Sequence, residues 1–67
     1  MKLVDTPAKL RAARRALGWT QPYLAEELGL TRDAVAKMEA GVRPIERRTD
    51  LAIRYLLERE APSSVTA

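Results

Sequence analysis

The sequence predicts an all-α fold: a compact domain of four short helices, with room for a short fifth turn. Three observations point there. Apolar residues recur at helical spacing, as at Leu10, Ala13 and Leu17. Threonines stand before three such runs, at Thr6, Thr20 and Thr31, where a hydroxyl can cap a first turn. Glycines follow the same three runs, at Gly18, Gly29 and Gly41, where a helix ends readily in a left-handed residue.

Met1–Asp5 is a short lead-in. Thr6-Pro7 opens the first helix, with proline at the first helical position, where its missing N–H costs nothing. Leu10, Ala13 and Leu17 form its apolar face. Arg11, Arg14 and Arg15 lie towards the other faces. Gly18 ends the helix, and Trp19 packs at the junction as an anchor between helices.

The chain is organised around Gln21–Ala40, two short helices joined by a tight turn. The second helix runs from about Gln21 to Leu28, and Pro22 is tolerated because it falls in the first turn. The third runs from about Arg32 to Ala40. Ala25 sits where the two should cross, since a methyl lets backbones approach. Gly29 sits where the turn needs positive φ. Val35 and Met38 face Leu24 and Leu28. Thr20 lies between Trp19 and Leu24, and Thr31 between Leu30 and Val35. Each set is an N-cap with a hydrophobic staple. Two such starts separated by one glycine form a helix-turn-helix.

The third helix is split by chemistry. Val35 and Met38 form its back, while Arg32, Asp33, Ala36 and Lys37 form its front. A major-groove reading helix needs this division. Gly41 and Pro44 prevent its extension. A fourth helix spans Glu46 to about Glu60, its start lying anywhere from Ile45 to Asp50. Its apolar band, from Leu51 through Leu57, is wider than one core-facing stripe. The surplus predicts a dimer contact around Ile53, Leu56 and Leu57; the competing reading wraps the whole band into the core. Residues 1–60 therefore form one domain with a C-terminal dimerisation helix. Ala61-Pro62 stops that helix, and 61–67 is expected as a flexible tail.

The chain has 67 residues, no cysteine and no histidine. Disulfides and thiolate metal sites are excluded, as are imidazole bases and ligands. With no glycine-rich phosphate loop either, an enzyme is not expected, and no cofactor or metal is called for. The net charge is +3 and the pI about 9.8, a balance compatible with nucleic acid. Lys9, Arg11, Arg14 and Arg15 crowd the first helix, and Arg43, Arg47 and Arg48 follow the central motif. Glu26 and Glu27 lie on the exposed side of the second helix. No stretch can span a membrane, and MKLVDTP lacks a signal-peptide core. The expected location is the cytoplasm of a prokaryotic or phage-infected cell.

Over LGWTQPYLAEELGLTRDAVAKMEAG, and more loosely from about Leu10 to Ile45, the sequence resembles the phage repressor and Cro family of XRE-like helix-turn-helix proteins. The resemblance implies that Arg32, Asp33 and Lys37 touch base edges, with Ala36 beside them. Arg32 and Lys37 suit guanine, Asp33 can accept from cytosine, and Ala36 can meet a thymine methyl. Each has another use open to it: Arg32 and Lys37 on phosphate, Asp33 at the positive end of the helix dipole. The resemblance further implies phosphate contacts from Gln21, Thr31 and Arg43, extended by Arg47 and Arg48 where the match fades. In some members an arginine and a glutamate equivalent to Arg14 and Glu39 pair, with the arginine also near phosphate. Many members carry an acid at one or both of positions 22 and 23. Here Pro22 and Tyr23 stand instead, so no capping box forms with Thr20. Tyr23 either packs or offers its hydroxyl to a phosphate.

The function so implied is a sequence-specific regulator of transcription. It is a small dimeric repressor of a phage or mobile-element operon, autoregulatory in the simplest case. Its partners are double-stranded DNA with a palindromic or pseudo-palindromic operator and a second copy of itself, with no small-molecule effector. The alternative is an antitoxin-like protein-interaction module in which DNA binding is secondary.

Overall fold

A computed structural model describes residues 3–60. Four helices follow in order: α1 Pro7–Leu17, α2 Gln21–Leu28, α3 Arg32–Glu39 and α4 Arg47–Arg59. No strand occurs among the described residues. The tail expected over 61–67, with its Ala61-Pro62 stop, lies outside them.

The caps form as their side chains dictate. Thr6, Thr20 and Thr31 are all extended, and each hydroxyl accepts an amide proton three residues on: from Lys9 at 3.2 Å, Tyr23 at 3.3 Å and Ala34 at 3.1 Å. Such bonds satisfy amides that the helix itself cannot. The first three helices close alike. Gly18, Gly29 and Gly41 have positive φ, and two amides reach back over the last turn. For α2 these are Gly29 N–H to the Glu26 carbonyl at 3.2 Å and Leu30 N–H to the Ala25 carbonyl at 2.8 Å. This paired closure reverses the chain sharply and delivers it to the next cap. α4 differs: Glu46 precedes it without any side-chain capping bond.

The core is one cluster. Leu10, Leu24, Val35, Met38 and Ile53 are its fully buried large side chains, joined by Val4, Ala13, Ala25 and Leu56. Ala25 is buried in the same cluster. Trp19 is half-buried against the cluster, and its ring meets that of Tyr23 edge to face at 4.7 Å. Tyr23 thus packs while staying 45% exposed.

α4 corrects one expectation. Ile53 and Leu56, assigned above to a dimer contact, have 0% and 4% of their surface exposed, and Leu57 is half-buried against the same core. The stripe Thr49, Asp50, Ile53 and Leu56 faces inward, because a domain this small needs its last helix to close the core. The apolar side chains of α4 left outside are Leu51 and Tyr55.

Asp50 holds the lead-in. Its carboxylate accepts from the Val4 amide at 2.7 Å and from Arg54 Nη2 at 3.2 Å. Only 5% of Asp50 is exposed, so both partners offset the cost of burying its charge. Nothing in the sequence around Asp50 marks it for this role beyond its place three residues before Ile53, on the inward stripe.

Candidate nucleic-acid interface

α3 presents one polar side. Arg32, Asp33 and Lys37 are exposed, whereas Ala34, Val35, Met38 and Glu39 are buried and Ala36 is half-buried. Lys37 Nζ lies 3.2 Å from an Asp33 carboxylate oxygen, one turn back along the helix. Both side chains are more than half exposed, so this pair is worth little in stability. It aligns two candidate base readers side by side, one an acceptor and one a donor.

The rear end of α3 is fixed by Glu39. Its carboxylate takes a two-pronged contact from Arg14, Nε to Oε2 at 2.7 Å and Nη2 to Oε1 at 3.1 Å. Gln21 Nε2 donates to Oε1 at 3.2 Å. Arg11 Nη2 donates to the Glu39 carbonyl at 2.9 Å. The remaining Arg14 prong, Nη1, donates to the Trp19 carbonyl at 3.0 Å. Glu39 and Arg14 together therefore join α1, the α1–α2 corner, the start of α2 and the end of α3. Planar guanidinium matches a carboxylate in a way that lysine cannot.

Burial alone would raise the Glu39 pKa. The hydrogen bonds from Arg14 and Gln21, with the charges of Arg14 and Arg11, outweigh it and hold the carboxyl below its ordinary range. The Arg14 guanidinium is held above its own, chiefly by the hydrogen bond to Glu39 and against the effect of burial. Both groups are charged at neutral pH. The Arg14–Glu39 pair is legible from the sequence only through resemblance; nothing local marks Gln21 and Arg11 as further donors to Glu39. Gln21 is half-buried at Glu39, and Arg14 keeps 17% side-chain exposure.

The loop after α3 folds back on it. The Lys37 carbonyl accepts from the Val42 amide at 2.9 Å and from the Arg43 amide at 3.2 Å. That places the exposed Arg43 beside the C-terminal end of α3. Arg43 and Arg48 border the same cleft, alongside the Leu28–Leu30 turn. Arg47 and Arg48 are both exposed in the first turn of α4, and Arg48 Nε lies 3.1 Å from Glu46. Thr31 is exposed at the start of α3 with its hydroxyl already capping that helix.

The geometry is therefore a short helix with a charged front, gripped from behind by a preceding helix and flanked by basic loop residues. A family model described as helix-turn-helix matches residues 10–49, more than half of the chain. The chain belongs to the XRE/Cro-type helix-turn-helix family. Membership implies DNA binding, and XRE/Cro-type domains are typically non-enzymatic. The match begins at Leu10 in α1 and ends at Thr49 in α4, so it takes in the Glu39 hub, α3 and the Arg43 loop. No curated protein matches the chain. No described helix is long and apolar enough to cross a membrane, and no acidic group among the described residues is clustered for a metal.

Proposed function

We propose that this XRE/Cro-type protein is a sequence-specific regulator of transcription, a small dimeric repressor that reads a palindromic operator through the major groove. One observation carries the reading: the exposed Arg32–Asp33–Lys37 front of α3 stands on a helix whose other side and far end are buried and bonded. A reading helix must be rigid, because base edges discriminate only when donors and acceptors arrive in register.

In this reading Arg32 and Lys37 donate to guanine O6 and N7, Asp33 accepts from a cytosine amino group, and Ala36 lies against a thymine methyl. Gln21, Thr31, Arg43 and Arg47 meet phosphates and set the register. Arg47 supports this by its placement. A cation in the first turn of a helix opposes the helix dipole, so α4 gains nothing from it locally. Arg14 acts behind them, by fixing Gln21 and Glu39 relative to each other. Repression needs only occupancy of a promoter. Two copies on half-sites roughly 34 Å apart would give the affinity that one short helix cannot.

Selection from a randomised duplex library by the purified protein, at about physiological salt, tests this. The expected product is an inverted repeat with a fixed spacer. A flat, unenriched pool would overturn the reading and favour a protein partner.

A further inference from the structure

The dimeric part of that reading requires a surface, and Ile53 and Leu56 do not supply it. We propose that a second copy of this chain docks on the outer stripe of α4, its own α4 antiparallel to the first. Arg48 of each protomer then meets the partner's Glu58, and Leu51 of each meets the partner's Tyr55.

The stripe is defined by exposure. Opposite the buried Thr49, Asp50, Ile53 and Leu56 lie Arg48, Leu51, Tyr55 and Glu58, separated by steps of three, four and three residues. That spacing keeps one strip of a helix facing a neighbouring helix. Leu51 is 45% exposed and Tyr55 60%, the latter even with the Arg59 guanidinium over its ring at 5.9 Å. Among the described residues, no other helix carries two large exposed apolar side chains one turn apart.

The charges decide which occupant fits. Positions 48 and 58 are equidistant from 53, and so are 51 and 55. A two-fold axis at that level pairs each with the other, the self-complementary arrangement that a symmetric dimer needs. Antiparallel docking sets two arginines against two glutamates. Parallel docking would set Arg48 against Arg48 and Glu58 against Glu58. The stripe thus selects one orientation of one partner, another α4. Glu58 has no ion pair among the described residues. Arg48 has only an exposed bond to Glu46, which it can exchange at little cost. The same axis brings Arg47 near Arg59, but Arg59 is already balanced by Glu60 at 2.9 Å and Glu27 at 3.6 Å.

Sedimentation equilibrium of the full chain without DNA tests the pairing. Wild type should show a monomer–dimer equilibrium over roughly micromolar to millimolar concentration. Tyr55→Glu, Glu58→Arg and Arg48→Glu should each weaken association about tenfold or more, with helical circular dichroism unchanged because all three side chains are exposed. The double variant Arg48→Glu/Glu58→Arg should recover it, since the opposite charges meet again. A monomer at every concentration, or a dimer that no reversal shifts, would overturn the proposal. The library selection is read separately. An enriched site bound by a protein that is monomeric in solution overturns this pairing and leaves base reading intact. A reversal-sensitive dimer with no enriched site supports the pairing and removes the regulator.

Discussion

Arg14 and Glu39 bind each other through two parallel hydrogen bonds, 2.7 and 3.1 Å long, across 25 residues of chain. Glu39 is 4% exposed. A charge so deeply placed is tolerated because Arg14, Gln21 and Arg11 all donate to that residue. The net stability of such a pair is modest, but breaking it is costly, since the survivor is left desolvated. Glu39→Ala should therefore destabilise the fold by about 2–3 kcal/mol, below the full buried-pair cost because Arg14 keeps some exposure and the Trp19 carbonyl. Urea denaturation measures this. A protein with unchanged melting and lost sequence preference would show that Glu39 contacts DNA instead of holding α3.

The same residue predicts acid sensitivity. The folded Glu39 carboxyl titrates below its ordinary value, so the folded state prefers it ionised. Its contribution is fully present above the unfolded pKa, about 4.3, and is lost as pH falls through the depressed folded value. Stability should fall in that acid window. Glu39→Gln, less stable at neutral pH, should show a flatter profile below pH ~4.3. Equal slopes for the two proteins would assign acid unfolding to other carboxylates.

Gly29 offers a test of backbone alone. Its φ is +72°, and a Cβ built there meets nothing within 4 Å. Gly29→Ala should cost about 1 kcal/mol through conformation without any clash, and Gly29→Asn less, because asparagine visits the left-handed region more readily. A loss of several kcal/mol for alanine would mean that the α2–α3 turn has little room to hold its shape.

These sites differ in how far the sequence revealed them. The four helices were legible because each signal was local: Thr20 and Thr31 carry their own capping oxygen, and Gly18 and Gly29 their own freedom at positive φ. The polar front of α3 was legible for the same reason, since helical spacing separates Arg32 and Lys37 from Val35 and Met38. Non-local bonds were not. Nothing near Asp50 announces that the Val4 amide, 46 residues away, will donate to it. Nothing near Gln21 announces Glu39. The α4 band showed the limit of composition: an excess of apolar residues was visible, but which of them faced out depended on where α1 and α2 lay.

Asp50 should prove to be the clasp of the lead-in. Asp50→Ala removes the acceptor of the Val4 amide and the partner of Arg54, whose side chain keeps only 19% exposure. The expected loss is about 2 kcal/mol, the penalty for buried donors left unpaired. Hydrogen exchange should show the Val4 amide losing protection in this variant while α3 amides keep theirs. Retained protection at Val4 would mean that its amide is shielded by packing alone.

Arg32 and Arg43 should separate specificity from affinity. Both are exposed, but Arg32 opens the front of α3, whereas Arg43 lies in the loop folded back on Lys37. In the proposed reading the first meets a base and the second a phosphate. Arg32→Ala should then cost about 1–3 kcal/mol on the selected site and relax preference at one base pair per half-site. Lys37→Ala should relax a neighbouring position and free Asp33 from its 3.2 Å partner. Arg43→Ala should weaken binding nearly uniformly across sequences and shrink the salt slope by about one, because one fewer phosphate is neutralised. Titrations against matched and scrambled duplexes at several salt concentrations distinguish the two roles. If Arg32→Ala and Arg43→Ala lower both affinities equally, α3 lies along the backbone and does not read the groove.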